Sequence, residues 1–171
     1  ESSSQIMREE VLRMKYLEGL ARDGEGRPLF SPEIIVLIYL DRIDFSGGAN
    51  VLVRGMSEMG LELRPQINLV EGRMFQTGRR ECVVSRRVSD RFAHCRIGQT
   101  FKAGKGEWTV VGMFEAGKTA YESEIWADAD EVRDAFNRNF YGSVLMRPVD
   151  AAASAAVTRR LETDRVLSVR V

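Results

Sequence analysis

Residues 69–114 read LVEGRMFQTGRRECVVSRRVSDRFAHCRIGQTFKAGKGEWTVVGMF, and this stretch decides the fold. Residues 81–85 (ECVVS) are an apolar run between turn-forming residues, a pattern that predicts a short buried strand. Ser85 can cap a helix that follows, because its hydroxyl can accept a hydrogen bond from a free amide of the first turn. Val88 and Phe92 are four residues apart and share one face of that helix. The stretch therefore predicts a buried strand followed by a short amphipathic helix.

Two further strands and a tight turn follow in the same stretch. Residues 97–101 (IGQTF) and 107–112 (EWTVVG) are separated by residues 103–106 (AGKG), whose two glycines can supply the positive φ angles of a tight turn. We therefore predict an antiparallel hairpin. Phe101 and Trp108 are expected to pack inside the same part of the fold as this hairpin.

Four phrases of this stretch occur in a recognisable order. They are EGRMF at residues 71–75, VVS at 83–85, IGQTF at 97–101 and WTVVGMF at 108–114. In this order and spacing the chain resembles the periplasmic core domain of MacB/FtsX-type ABC transporter permeases. The family has no catalytic motif in this domain, so the resemblance implies an architecture, a location and a mechanical role.

The resemblance implies an α+β fold with two lobes. In the family, a βαβ-based membrane-proximal lobe called Porter is split in sequence by a smaller mixed lobe called Sabre. The chain has the same segmentation, since residues 1–63 and 137–171 contain the long predicted elements, while residues 64–136 contain short strands and tight turns. We predict a Porter-like lobe from the first two segments and an inserted Sabre-like lobe from the third, with the break at Arg64-Pro65.

The resemblance also implies a function and a set of partners. It indicates a non-catalytic, extracytoplasmic (periplasmic) domain of an inner-membrane permease, which couples ATP-driven transmembrane motion to export or release of a lipoprotein, peptide or drug. The implied partners are the transmembrane helices of the same permease, a cognate ABC ATPase acting through them, a second permease subunit, and a periplasmic adaptor or cargo protein. No catalytic, cofactor-binding or metal-binding residue is expected. The substrate, the adaptor and the choice between a homodimeric and a heterodimeric permease stay open.

Composition fits a packed domain and argues against a nucleic-acid partner. The 171 residues are 44% apolar and 29% charged, and Lys and Arg total 25, as do Asp and Glu. A chain without net charge has no overall field to attract nucleic acid, and the arginine pairs at 79–80 and 86–87 lack interleaved aromatic residues.

The ends of the chain suggest a piece excised from a membrane protein. The longest apolar run, residues 34–40, is far shorter than the roughly 20 residues of a membrane-spanning helix, and no signal peptide begins the chain. The chain starts without Met and stops inside a predicted strand at residues 166–171. We therefore expect residues 1 and 171 to lie at one end of the molecule. The inserted lobe, with residues 104–106 at a hairpin tip, is expected to project away from that end and to present the surface available to cargo or an adaptor.

Four other elements are predicted from their patterns. Residues 5–22 have apolar side chains along one face, which predicts an amphipathic helix able to continue a preceding membrane helix as one rod. Residues 34–40 (IIVLIYL) show no alternation, so we predict a central strand buried on both faces. Asp128 and Asp150 are predicted to cap the two helices that follow them.

A competing hypothesis comes from residues 112–119 (GMFEAGKT), which match the phosphate-binding pattern G-x-x-x-x-G-K-[ST]. This motif would support a stand-alone nucleotide-binding or enzymatic domain. However, Glu115 would place a carboxylate inside an anion cradle, and residues 104–107 make the preceding strand half of a hairpin. We therefore favour a loop that leaves a hairpin.

The two cysteines and the single histidine do not form a recognisable reactive site. Cys82, Cys95 and His94 provide fewer than the four ligands usual for structural zinc. His94 and Cys95 are neighbours in sequence and would not normally point to the same place, which argues against nucleophilic catalysis. Cys82 and Cys95 either form a disulfide or are two buried thiols, and the sequence leaves both possibilities open.

Overall fold

The computed structural model describes residues 5–164. The helices are α1 (Arg8–Lys15), α2 (Arg86–Arg91), α3 (Ala129–Ala135) and α4 (Ala151–Thr163). The strands are β1 (Ile6–Met7), β2 (Phe30–Asp41), β3 (Gly48–Met56), β4 (Asn68–Gly72), β5 (Glu81–Ser85), β6 (Thr100–Ala103), β7 (Gly106–Glu115), β8 (Glu124–Asp128), β9 (Phe140–Tyr141) and β10 (Ser143–Met146). Short 3₁₀ turns occur at Glu58–Gly60 and Ala120–Ser123. The predicted α+β class is confirmed.

Most strands belong to one mixed sheet. Its order is β10-β2-β3-β8-β5-β7-β4, with β6 paired to β7 beside this order, and β1 pairs separately with β9. The β3–β8 and β5–β7 pairs are parallel, while the other pairs are antiparallel. β3 and β10 therefore share a sheet, which continues through the strands of residues 64–136. The division into two lobes stays a prediction.

Three clusters of buried side chains surround this sheet. The largest joins one face of β2, β3, β8 and β5 to α2, α3 and the β6–β7 hairpin, and it contains both Phe101 and Trp108. A second cluster packs α1 and α4 together with Ile6, Phe30 and Tyr141. The third covers the opposite face of β8, β5 and β7 with the segment around Ile67 and Phe75. Among residues 5–164 no helix is long and apolar enough to cross a membrane.

The centre of the decisive stretch folds as its pattern predicts. Every residue of β5 is buried, and the Ser85 hydroxyl accepts a hydrogen bond from the amide of Val88 at the start of α2. β6 and β7 form the predicted hairpin. Gly104 has a φ of +60°, but Gly106 does not have a positive φ, so the turn uses one left-handed glycine rather than the two we expected.

The tip of the β6–β7 hairpin packs against the end of α3. The amide of Lys105 donates to the carbonyl oxygen of Ala135 at 2.9 Å, at the end of α3. A Cβ on Gly104 would lie 2.5 Å from the same oxygen. The tip is therefore held against α3, which belongs to the same segment of residues 64–136. The projection of that segment away from the chain ends stays a prediction, because both ends lie outside the described residues.

β2 differs from its prediction in one respect. Its even-numbered side chains from Ile34 to Leu40 enter the largest cluster. Ile35, Leu37 and Tyr39 on the other face are 48%, 64% and 63% exposed. Successive side chains of a strand point to opposite faces, and only one face of β2 is covered here. The prediction of burial on both faces is therefore wrong.

The first helix is much shorter than the predicted span of residues 5–22. Residues 6–7 form β1, so α1 does not extend upstream as a rod within the described chain. At the other end, α1 stops at Lys15 with Tyr16 as its C-cap. Gly19, four residues after Lys15, adopts a φ of +89° and packs closely against Ala153 of α4. Apolar spacing alone did not reveal this break.

The later helices begin where the sequence predicts. The Asp128 side chain accepts hydrogen bonds from the amides of Asp130 and Glu131, and that of Asp150 accepts one from Ala153. The predicted strand at residues 166–171 and the relative position of residues 1 and 171 lie outside the described residues.

Candidate functional site

Four charged side chains meet beneath the β2–β3–β8 part of the sheet, and we call Glu33, Arg54, Arg64 and Glu124 the junction network. Arg54 donates to both carboxylate oxygens of Glu124, from Nε at 2.8 Å and from Nη2 at 2.7 Å. Its Nη1 reaches Glu33 Oε2 at 3.1 Å. Arg64 Nη2 lies 2.8 and 2.9 Å from the two oxygens of Glu33. The network is thus a continuous chain of charge-assisted hydrogen bonds.

Strand register brings these residues together. Arg54 lies opposite Ile35 of β2 and Trp126 of β8, which places its side chain between Glu33 and Glu124. Arg64 reaches the network from the loop after the Glu58–Gly60 turn, where its Nη1 donates to the Gly60 carbonyl at 3.0 Å. The network therefore links side chains from residues 1–63 to side chains from residues 64–136.

Three members of the network are fully buried, and Arg54 is partly exposed. Glu33, Arg64 and Glu124 are each no more than 3% exposed. Burial by itself would lower the pKa of Arg54, but its hydrogen bonds to Glu124 and the charges of Glu124 and Glu33 raise that pKa above its usual value. The arginine stays charged, so the two carboxylates have permanent partners.

Aromatic rings cover the network. The ring of Trp126 stacks on Phe114 at 4.0 Å, and its indole N–H donates to Glu124 Oε2 at 2.8 Å. The guanidinium groups of Arg54 and Arg64 lie 5.3 and 5.1 Å from the centre of the Tyr121 ring. Such cation–π contacts add to the ion pairs in a desolvated position.

This arrangement has the properties of a structural joint. Two acids and two bases compensate each other, and neither a carboxylate nor a guanidinium is left available to bind a substrate. The Nε atom of Arg64 is the one side-chain polar atom of the network that is buried without a partner among the described residues. Within residues 5–164, no group of His, Cys, Asp and Glu side chains could hold a metal ion.

Sequence reasoning did not identify the network. The sequence feature that could have revealed it is a single charged residue in an otherwise apolar strand. Glu33 precedes the IIVLIYL run, and Arg54 follows Val53. A charged residue in a strand that is buried around it requires a partner. The strand order that supplies the partner is not visible in the sequence.

The phosphate-binding pattern at residues 112–119 does not form a cradle. Its first four residues belong to β7, where Met113 and Phe114 are buried. The amide of Ala116 donates to the Glu122 carboxylate at 2.6 Å, and the hydroxyl of Thr119 donates to the Ala116 carbonyl at 2.8 Å. A 3₁₀ turn follows instead of a helix. The Ala116 amide and the Thr119 hydroxyl are thus already hydrogen-bonded within the protein, and residues 112–119 contain no helix N-terminus at which phosphate could bind.

We expect no specific affinity for nucleotide at this motif. Calorimetric titration with magnesium–ATP should give no saturable heat for the chain, and Lys118→Ala should behave identically because Lys118 lies on an exposed loop. Micromolar binding that Lys118→Ala abolishes would contradict this expectation.

Cys82 and Cys95 are free thiols buried in the same cluster. Burial raises the pKa of Cys95 to about 12 and places the pKa of Cys82 well above its usual value. Because the thiolate is the reactive form, both side chains should be inert in the folded protein. His94 is exposed and has a φ of 62°, and it forms no triad with them.

Alkylation provides a direct measurement of this inertness. Iodoacetamide at pH 8 should leave the folded chain unmodified over an hour, whereas the chain unfolded in guanidinium should gain two adducts by mass spectrometry. A native adduct at either cysteine within minutes would show that the thiol is accessible.

Two of the four arginines at residues 79–80 and 86–87 form ion pairs with acids. The Arg80 side chain forms an ion pair with Asp134, and its amide donates to Glu131 at 2.8 Å. The Arg86 side chain pairs with Glu115. These two arginines therefore contact α3 and the end of β7 and do not form part of a continuous row of unpaired cations.

Solved structures of transporter domains are similar in fold to this chain. The extracellular domain of the noncanonic ABC-type transporter YknZ from Gram-positive bacteria matches with a TM-score of 0.68 and 14% identity, over 90% of this chain and 79% of that one. The periplasmic region of MacB from Actinobacillus actinomycetemcomitans matches with a TM-score of 0.71 and 14% identity, over 94% of this chain and 75% of that one. A domain of a permease protein from Porphyromonas gingivalis matches with a TM-score of 0.63 and 10% identity, over 93% and 69%.

Sequence comparison identifies the family directly. No curated protein sequence matches the chain. The family model of the MacB-like periplasmic core domain matches residues 28–164, most of the chain. The expectation drawn from the four phrases of residues 71–114 is confirmed: the chain belongs to the MacB-like periplasmic core domains, the extracytoplasmic domains of ABC transporter permeases.

Proposed function

We propose that this domain is non-catalytic and transmits ATP-driven motion of the permease's transmembrane helices to a substrate outside the membrane. The substrate class is a lipoprotein, a peptide or a drug-like molecule. In this proposal the motion originates in a cognate ABC ATPase and passes through the membrane part of the permease, which works together with a second permease subunit. An adaptor or the cargo itself receives the motion.

The junction network is the observation that carries this proposal. Motion is transmitted over a distance only if the intervening parts move together, and a buried ion-pair chain joins β2 and β3 to β8 and to the loop at Arg64. β3 and β8 are also hydrogen-bonded in parallel over five residue pairs. We infer that residues 1–63 and 137–171 form a Porter-like lobe and that this junction couples it to a Sabre-like lobe of residues 64–136.

An uncoupling experiment tests the mechanical role. In the complete permease with its ATPase, Arg54→Met should leave ATP hydrolysis nearly unchanged while export falls by about tenfold or more, because the joint between the lobes is weakened. Arg96→Met is the matched control, since Arg96 is exposed and outside the junction network. Circular dichroism of the isolated domain must show that both variants are folded.

Two outcomes would contradict the proposal. If export and ATP hydrolysis are both unaffected in folded Arg54→Met, the junction does not carry the motion. If both activities fall by the same factor, the junction is needed for assembly of the transporter rather than for coupling.

A further inference from the structure

One backbone edge of β2 has no strand beside it over most of its length. β10 pairs with β2 only from Phe30 to Glu33. Among residues 5–164, no other strand pairs with that side of β2 between residues 34 and 41. The edge is therefore open in the part of the chain that the structure describes.

Hydrogen bonds at both ends identify the backbone groups that face this edge. The amide of Gly142 donates to the Glu33 carbonyl at 2.8 Å, and the amide of Ala93 donates to the Asp41 carbonyl at 2.9 Å. The backbone N–H and C=O groups of the odd-numbered residues of β2 thus point away from β3. Because backbone groups alternate along a strand, the three odd residues between these bonds, Ile35, Leu37 and Tyr39, also direct their N–H and C=O groups to the open edge.

This edge strand is apolar and uncharged, a composition that proteins avoid in strands whose edge stays exposed. Residues 34–40 (IIVLIYL) contain no charged residue and no proline. The side chains of Ile35, Leu37 and Tyr39 add an exposed apolar stripe beside the open backbone. Natural edge strands usually carry lysine, proline or a bulge because an exposed apolar edge pairs with other chains. This edge therefore has the chemistry of a strand that is completed by another strand.

A cleft at one end of the edge limits what can complete it. The cleft has a volume of about 390 Å³ and lies between residues 39–41 of β2 and residues 100–102 of β6. β6 is bonded only to β7 among the described strands. In a symmetric pair, a second copy would bring its own residues 34–41 to this edge, and these contain no basic side chain to place near the acidic residues that line the cleft, Asp41 and Glu107.

The charges around the cleft specify the incoming segment further. Two acids, Asp41 and Glu107, and one base, Lys102, line the cleft. Because the acids outnumber the base, the cleft has an excess of negative charge at the Asp41 end of the edge. A basic side chain near Asp41 would balance it.

We propose that residues 34–40 of β2 bind an extended segment of a partner protein as an added strand. The segment has apolar side chains at alternate positions, which pack on the stripe of Ile35, Leu37 and Tyr39, and a basic side chain at the Asp41 end. Main-chain hydrogen bonds supply the affinity in this mode of recognition, and alternate side chains supply the specificity. The proposal adds a recognition mode to the mechanical role and does not depend on it, because strand addition is measured without a transporter.

Amide hydrogen exchange of the 171-residue chain tests the proposal. Alone, the amides of Ile35, Leu37 and Tyr39 should exchange rapidly, while those of Val36 and Ile38, which face β3, should be protected. A blocked peptide of about seven residues, alternating valine and threonine with an arginine at each end, should slow the three open amides by about tenfold or more. The same peptide with glutamate at each end should bind more weakly.

Two variants provide the matched comparison. Leu37→Lys puts a charge on the exposed stripe and should weaken peptide binding by about tenfold, while the fold is kept because Leu37 is 64% exposed. Val70→Lys makes the same kind of change on β4, at the other end of the sheet, where Val70 is 40% exposed, and should leave binding unchanged.

Four results would overturn the proposal. Slow exchange of the three amides without peptide would mean that the edge is already covered by the chain's own residues or, if protection rises with protein concentration, by a second copy. Failure of the arginine peptide to slow exchange would exclude strand addition here. Equal binding of the glutamate peptide would remove the assigned role of Asp41, and equal weakening by Val70→Lys would show that the effect is not specific to β2.

Discussion

Trp126→Ala should lower the free energy of unfolding by about 3–5 kcal/mol. The side chain is completely buried, stacks on Phe114 at 4.0 Å and packs edge-on against Tyr121 at 5.8 Å. Its removal leaves a cavity between β8 and β7 and exposes the aromatic side of the junction network. Urea unfolding followed by far-ultraviolet circular dichroism measures the loss without depending on tryptophan fluorescence.

Trp126→Phe separates packing from hydrogen bonding. The phenyl ring keeps most of the stack on Phe114 but removes the indole N–H that Glu124 accepts. We expect a smaller loss, about 1–3 kcal/mol, because Arg54 still donates to both oxygens of Glu124. If Trp126→Ala costs under about 1 kcal/mol, the ring does not hold β8 against β7 as described.

Glu33→Ala should also be severely destabilising, by about 3–5 kcal/mol, because it leaves a buried guanidinium without its carboxylate. Arg64 is 3% exposed, and Glu33 provides its sole ion pair among the described residues. Arg54 would lose one of its two acids but keep Glu124. The thermal midpoint and the urea midpoint should fall together.

The double variant Glu33→Met/Arg64→Met is the control for this prediction. Buried ion pairs can often be replaced by apolar side chains of similar volume at little net cost, so the double variant should be more stable than Glu33→Ala. If it is as unstable as Glu33→Ala, the loss arises from the changed shape of the site rather than from an uncompensated charge.

The parts of the fold that the sequence predicts are those determined by neighbouring residues. The β5 strand, the Ser85 cap, the β6–β7 hairpin and the Asp128 cap each depend on contacts within a few positions, so their patterns were sufficient. The exposed face of β2 and the early end of α1 depend on which elements pack against them. Ile35 could have been covered by another layer. α1 already ends at Lys15, and the chain then turns at Gly19, where it packs against Ala153 of α4.

The junction network illustrates the same limit for the functional site. Glu33 and Arg64 are 31 positions apart, and Arg54 and Glu124 are 70 positions apart. Their charges were visible in the sequence, but the pairing depends on the crossover that brings β8 beside β3. The family resemblance predicted the architecture and the location because these are properties of the whole order of segments.

The contact between the tip of the β6–β7 hairpin and α3 limits where this domain can be labelled. A surface hairpin is the usual choice for inserting an epitope or a fluorophore, but the amide of Lys105 is bonded to Ala135 and Gly104 has no room for a side chain. A tag placed there would separate the hairpin from α3 and expose Trp108. Gly78 has open space around it, so a short insert beside it should disturb the domain less than one at the hairpin tip.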